Sequence, residues 1–329
     1  MRLLLLFFTF LVTSEQEEAV HIQINGLAQG TTYHVVYYAK DSLVKKHEID
    51  SILSSLDSSL SIYKPYSLIN TFNTSETGAQ LDEHLYTVVK KSLDTYKQTG
   101  GIFDVTVFPL VQAWGFAAKH PDSLPDSAKI IKLKKCVGSS YLKLKDHYLY
   151  KIKPCVQIDV NGIAQGYSVD VVANYLEQHN IHNYVVEIGG EIRVNGHKPN
   201  GEKMKIGIEA PVNDSSDEET MEKVMMMDHG GITTSGSYRK FYESNGKKIS
   251  HIINPFTGYS AQNELISVTV VANDAFTADA YDNALMVMGL QKAMQFVENR
   301  KDLAAFFIYR KNDGTVADTT SSRFYKMAN

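Results

Sequence analysis

The sequence predicts an α+β fold of mixed, largely antiparallel sheets with helices packed against them. Three observations lead there. Apolar runs of period two recur along the chain, runs of helical period are interspersed with them, and many adjacent strand-like runs are separated by hairpin-length spacers. The length of 329 residues, with 43% hydrophobic and 21% charged, allows a sizeable core in an ordinary globular balance. Nineteen Tyr against a single Trp suit a sheet-rich protein.

The elements follow in order. Met1-Arg2 precedes an apolar run from Leu3 to Val12, then Thr13-Ser14 and an acidic stretch. The run is too short to span a bilayer and reads as a secretory signal over residues 1–14, ahead of one domain over 20–329. A buried N-terminal strand is the alternative. Ser14 or Glu15 stands where a lipoprotein would need Cys, so a lipid anchor is not expected. His21 to Ala39 alternates and reads as a strand pair broken at Gly26 and Gly30. A helix beginning at Asp41 carries Ile49, Ile52, Leu53, Leu56 and Leu60 on one face. A second spans about 81–98, with Leu85, Val88, Val89 and Leu93 inward. Residues 141–158 read as a hairpin turning near Asp146-His147.

The second half alternates elements more quickly. A strand Val156–Val160, a Gly-bearing turn and a helix with Val169, Val172, Ala173 and Leu176 on one face lead to strand Tyr184–Ile188. Met204, Ile206 and Ile208 alternate as a strand. Residues 212–223 are acidic and Ser-rich and read as a solvated insertion loop within the domain. Val224 to Thr234 returns through Gly230-Gly231. A strand at 265–272, helices at about 276–288 and 291–300, and a last strand Ala304–Tyr309 complete the reading. No internal repeat interrupts it.

A net charge of −4 without a sustained basic stripe gives no general attraction to nucleic acid. Cys136 and Cys155 are too few for a zinc site without nearby His; a disulfide and two buried thiols both fit.

Five segments carry possible chemistry. In His251-Ile-Ile-Asn254-Pro255-Phe-Thr257-Gly258, Asn-Pro ends a strand and Gly permits a turn, holding the imidazole at a rigid strand end. An ordinary hairpin corner is the alternative. Gly100-Gly101-Ile102-Phe103-Asp104-Val105-Thr106 reads as a strand with Asp104 and Thr106 on one face beside aromatic residues, or as a capping Asp. Asp159-Val160-Asn161-Gly162-Ile163-Ala164-Gln165-Gly166 enters a helix and offers backbone N–H groups to an anion, although it matches neither a dinucleotide fingerprint nor a Walker loop. Glu187-Ile188-Gly189-Gly190-Glu191 lets a ligand approach the backbone, or forms a bulge. Asp279, Asp282 and Asn283 lie three and four residues apart on a helix, so two carboxylates and an amide oxygen converge as hard ligands for Mg²⁺; acidic residues near a helix start are the plain alternative.

Taken in order, these segments resemble the ApbE family, the FAD:protein FMN transferases, over roughly residues 22–310. The resemblance rests on Gly30-Thr31-Thr32-Tyr33, Ser61-Ile62-Tyr63 with Ser67, Ile69 and Asn73, Gly101-Ile-Phe-Asp104-Val-Thr106 with Pro109-Leu110 and Trp114-Gly115, and Asp159-x-x-Gly162-Ile-Ala-x-Gly166-Tyr-x-Val-Asp170. Gly189-Gly190, Thr234-Ser235-Gly236-x-Tyr238, the His251 segment and Ala278-Asp279 complete it.

The resemblance implies a flavin site between two lobes. It implies Mg²⁺-dependent cleavage of FAD and transfer of FMN to a Thr or Ser hydroxyl of a target protein, with release of AMP. Its typical acceptors are redox-pump subunits of the Nqr and Rnf type; with the expected N-terminal signal, the place expected is exported, periplasmic or at the outer face of the inner membrane. Asp279, Asp282, Asn283 and the carbonyl of Gly162 fall at the family's metal positions. Gln29, Tyr63, Ile102, Phe103, Asp104, Asp159, Gln165 and Ile252 fall at flavin-nucleotide contacts, and His251 is the residue expected to move the acceptor's proton. Three positions depart from the pattern. Gln165 replaces a common Lys, Asn283 a common Thr, and Gln29 a frequent Met. An FAD pyrophosphatase and a non-catalytic exported flavin-binding protein are the competing readings.

Overall fold

The computed structural model describes residues 19–41, 43–117, 123–209, 221–238, 241–244 and 247–327. The expected signal at 1–14 lies outside them, as does the acidic insertion except for its last residues. The chain opens with the expected hairpin. β1 (Val20–Ala28) pairs antiparallel with β2 (Thr31–Ala39) through the two-residue turn Gln29-Gly30. Both turn residues have positive φ, 54° and 78°, which matches the twist of the flanking strands.

A helical and small-sheet segment follows. It comprises α1 (Lys46–Leu60), α2 (Leu68–Thr74), β3 (Gly78–Gln80), α3 (Glu83–Gln98), α4 (Phe108–Ala113), α5 (Ser127–Lys134), β4 (Leu142–Lys145) and β5 (Tyr148–Lys151). Ser67, Asp82 and Asp126 each accept a backbone N–H in the first turn of α2, α3 and α5, the usual way to satisfy helix-start donors. α1 starts five residues later than expected from Asp41, where Glu48 reaches back to accept the Lys45 N–H. β4 and β5 turn at Asp146-His147 as expected and are joined by β3.

The rest of the chain builds the main sheet. It contains α6 (Ala164–Gln178), β6 (Tyr184–Ile188), β7 (Glu191–Asn195), β8 (Met204–Glu209), β9 (Met221–Met227), β10 (His229–Gly236), β11 (Phe241–Ser244), β12 (Lys247–Ser250) and β13 (Leu265–Ala272). α7 (Ala275–Met288), α8 (Leu290–Glu298), β14 (Leu303–Arg310), β15 (Val316–Thr320) and α9 (Phe324–Met327) finish it. The eight strands run in the order β1-β2-β6-β7-β10-β13-β14-β15, every pair antiparallel.

Both faces of this sheet are covered. α6 and α7 pack on one face over Tyr33, Val35, Val186, Val270 and Phe307. The β8–β9 hairpin and Phe324 of α9 cover the other, over Val194, Ile232, Val271 and Phe306. That double burial explains why β14 reads as an unbroken apolar run rather than an alternating one. A separate apolar cluster of Leu110, Val111, Trp114, Ile130, Ile249 and Ile253 joins α4, α5 and β12 into a smaller lobe.

One expected strand is absent. Val156, Ile158 and Val160 are buried with strand-like period, but their backbone has no ladder partner. Instead Asn73 donates its amide to the Ile158 carbonyl and accepts the Ile158 N–H, at 2.9 and 2.7 Å, while Asp159 N donates to Val105 O at 2.8 Å. Cys136 and Cys155 form a disulfide.

Candidate functional site

Two helices meet end to side in a buried polar cluster. Asp274 caps α7 by accepting Thr277 N–H at 2.6 Å. Asp170 of α6 accepts the next two helix-start donors, Ala275 N and Phe276 N, and pairs with Arg193 of β7 at 2.9 Å. The approach of α6 is so close that a Cβ on Gly166 would lie 2.4 Å from the Ala275 carbonyl and 2.6 Å from the Asp279 Cβ. Glycine is required there by contact. The Gly166 N–H then donates to Asp279 Oδ2 at 2.8 Å.

The expected metal positions come together around this junction. Asp279 and Asp282 are only 3% and 1% exposed. Thr233 of β10 donates to Asp282 Oδ2 at 2.9 Å, and Ser235 donates to Asn283 Oδ1 at 2.9 Å. Asn283 turns its amide nitrogen toward Gly162, 3.1 Å from where a Cβ would stand. Burial, with the nearby negative charge of Asp170, pushes the Asp279 carboxyl up to about 7. The set therefore holds two hard carboxylates, an amide and the Gly162 turn in a space where added positive charge would be stabilised. Among the described residues no group of three or more His, Cys, Asp or Glu is arranged so that it could hold a metal ion.

The expected nucleotide positions border this cluster. Gln29 donates to Ser168 Oγ at 2.8 Å. Gln165 Nε2 lies 2.3 Å from the Cβ position of Gly189, whose φ is +61°, and Thr31 Cγ2 lies 2.9 Å from it. The β1–β2 turn, the β6–β7 turn and the start of α6 thus share one corner. Asn161 joins Tyr63 to Asp159: its side chain donates to Tyr63 OH at 3.4 Å, and its backbone N–H donates to Asp159 Oδ1 at 2.8 Å. Burial raises the Tyr63 phenol, and the Asp159 charge adds to that.

Asp104 is the capping Asp rather than a strand residue. It stands before the short 3₁₀ turn Val105–Val107. Its Oδ1 accepts from Thr106 N, Thr106 Oγ1 and Ser139 Oγ at 2.9, 2.6 and 2.7 Å, and its Oδ2 from Ser139 N at 3.1 Å. Burial raises its carboxyl despite these hydrogen bonds. Phe103 is buried and Ile102 half-buried beside it.

His251 belongs to a second, adjoining group. Asn254 Oδ1 accepts from Phe256 N and Thr257 N, and Gly258 N donates to the Asn254 carbonyl. Trp114 Nε1 donates to Gly258 O at 2.8 Å, which locks the turn onto the smaller lobe. His251 is half-buried, with the Phe116 ring edge-on at 6.3 Å. Ile252 enters the main core and Ile253 the smaller cluster, so the segment sits across the two lobes.

A family model described as the ApbE family matches residues 29–307. The chain belongs to the ApbE family. An FAD:protein FMN transferase of Haemophilus influenzae is 36% identical over 320 residues, covering 93% of this chain and 92% of that protein. One from Vibrio cholerae is 35% identical, with 93% of each covered. The flavin transferase ApbE structure from Vibrio cholerae superposes with a TM-score of 0.84 at 33% identity, covering 94% of this chain and 99% of that one. The ApbE fold thus agrees with the α+β expectation.

Sequence reasoning did not assign roles to Thr233, Ser235, Asp170 or Ser139. Alternation in the small polar run Thr233-Thr234-Ser235 was the available signal for the first two, since residues 233 and 235 share a strand face. Nothing local marks Ser139 as the partner of Asp104.

Proposed function

We propose that this ApbE-family chain is an FAD:protein FMN transferase that acts on a Thr or Ser hydroxyl of a partner protein. The observation carrying the reading is the junction of α6, α7 and β10. It sets buried Asp279 and Asp282 beside Asn283 and the Gly162 turn, bordered by Gln29, Gln165 and the Gly189 turn. Gln29, Tyr63, Ile102, Phe103, Asp104, Asp159, Gln165 and Ile252 form the flavin-nucleotide surroundings.

Asp279, Asp282, Asn283 and the Gly162 carbonyl would hold Mg²⁺, which supplies neutralisation of the diphosphate charge. The start of α6 gives its Gly166 N–H to Asp279 and so orients that carboxylate. His251 accepts the proton of the acceptor hydroxyl as that oxygen bonds to the FMN phosphorus. The bond from that phosphorus to the AMP oxygen breaks, and AMP leaves.

The acceptor is a redox-pump subunit of the Nqr or Rnf type, reached outside the cytoplasm. The apolar run at residues 3–12 and the Cys136–Cys155 disulfide support export. The test combines the chain from about Glu15 onward with FAD, Mg²⁺ and a Thr-bearing acceptor domain. In-gel flavin fluorescence on the acceptor, together with AMP, is the expected result. AMP formed without acceptor labelling, over several acceptors, would replace the transferase with a pyrophosphatase. FAD binding without AMP would replace it with a flavin-binding protein.

A further inference from the structure

The disulfide sits where the segment carrying Phe103 and Asp104 is gripped from both sides. On one side Gly138 N donates to Thr106 Oγ1 at 2.6 Å, and Ser139 gives two hydrogen bonds to Asp104. On the other, Asp159 N donates to Val105 O at 2.8 Å. The first grip lies just after Cys136 and the second just after Cys155. The bond between them, with a sequence separation of 19, therefore ties the two grips to each other. The covalent ring spans the β4–β5 hairpin.

We propose that the Cys136–Cys155 disulfide is a positioning device for the flavin-nucleotide loop, and that its reduction weakens FAD binding without unfolding the enzyme. This rests on the flavin-transferase reading for the ligand. Three features support it. Cys155 is exposed and Cys136 half-buried, so a dithiol can reach the bond. The surrounding hairpin keeps other ties: Ile152 N donates to Tyr141 O at 2.8 Å, and Lys153 Nζ to Lys135 O at 2.9 Å. Phe103, Val105, Val156 and Ile158 are themselves buried in the main core, so the fold outlasts the covalent tie and what loosens is the placement of Asp104 and its neighbours. Reduction is balanced by a dithiol: two electrons and two protons pass to the protein as Cys136 and Cys155 thiols, and the dithiol becomes a disulfide.

The experiment compares oxidised wild type, wild type reduced with dithiothreitol and alkylated, and the Cys136→Ser/Cys155→Ser variant. FAD binding is followed by flavin fluorescence, the fold by circular dichroism, and turnover with acceptor. The expected result is a roughly tenfold higher Kd and KM for FAD in both altered forms, with kcat at saturating FAD and the circular dichroism retained. A loop held in the binding arrangement about one-tenth of the time gives that factor. Ser139→Ala, which cuts a grip but leaves the disulfide, should raise Kd in the same direction. Unchanged Kd in the reduced and double-Ser forms overturns the proposal, as does a fall in kcat with KM unchanged. Failure of the oxidised wild type to bind FAD would instead refute the flavin-transferase reading itself.

Discussion

Asp170→Ala should destabilise the protein and, through α7, disarm it. In the structure this carboxylate accepts two backbone donors at the start of α7, at 3.2 and 2.9 Å, and an Arg193 donor at 2.9 Å. Removing it leaves two donors without their acceptor, at about 1–3 kcal/mol each, and strands a largely buried Arg. One term opposes this loss. Burial raises the Asp170 carboxyl from 3.8 to about 6 despite Arg193, so its ionised form costs about 3 kcal/mol in the fold at neutral pH, and deletion recovers that. The difference leaves a net loss of about 3 kcal/mol, or about 4 °C in Tm for a chain of this length. Urea unfolding and calorimetry of wild type, Asp170→Ala, Arg193→Ala and the double variant measure it. The double variant should lose less than the sum of the singles, because each leaves the other's partner behind. A single-variant loss below about 1 kcal/mol, or strict additivity, would refute the reasoning. Because α7 carries Asp279, FMN transfer should also fall by more than the unfolded fraction explains.

Four further outcomes are expected. Gly166→Ala must push its methyl against the Ala275 carbonyl and the Asp279 Cβ, backbone and core that cannot yield cheaply. It should cost about 2–3 kcal/mol in urea unfolding and abolish AMP release; wild-type stability and turnover would contradict the packing argument. His251→Ala should slow FMN transfer at least about a hundredfold while changing FAD affinity little, and equal losses in both would make His251 a binding residue only. Gln165→Lys adds positive charge beside the Gly189 turn and should tighten FAD several-fold at low salt, an effect that fades at high salt if it is electrostatic. Asp170 also sets a pH signature. Its folded-state pKa lies above its unfolded value, so its contribution is fully present below about pH 4 and is lost as pH rises through about 6. Wild type should therefore lose up to about 3 kcal/mol relative to Asp170→Asn between pH 4 and 7, and a pH-independent difference would discount the shift.

Much of the fold is legible in the sequence because period and turn chemistry agree. β8 alternates Met204, Ile206 and Ile208 against a hairpin partner, and the β4–β5 turn falls at the expected Asp146-His147. The failures have physical causes. Val156–Val160 has strand-like burial but gives its hydrogen bonds to Asn73 and Val105, a choice that depends on residues far away in the chain. Asp104 and Thr106 have the spacing of a strand face, yet their short side chains bond to each other and to Ser139 instead. β15 is short, polar and half-exposed, and carries no apolar period to find. The convergence of Asp279, Asp282 and Asn283 follows from helical spacing, whereas the β10 hydroxyls that hold two of them come from tertiary pairing.

The sheet order also fixes when the protein can be assembled. β2 finds β1 at once but its other edge only late, because Val36 pairs with Gln23 on one side and with Val185, about 150 residues later, on the other. A ribosome adding about 5–20 residues per second leaves the opening hairpin waiting on the order of ten to thirty seconds. The Gln29 turn reaches its corner only after β6 and the Gly189 turn have emerged, so that corner cannot take shape during the first half of synthesis. Nascent chains halted before Tyr184 should therefore be captured readily by chaperones and digested by protease, and those released after Arg310 should resist both.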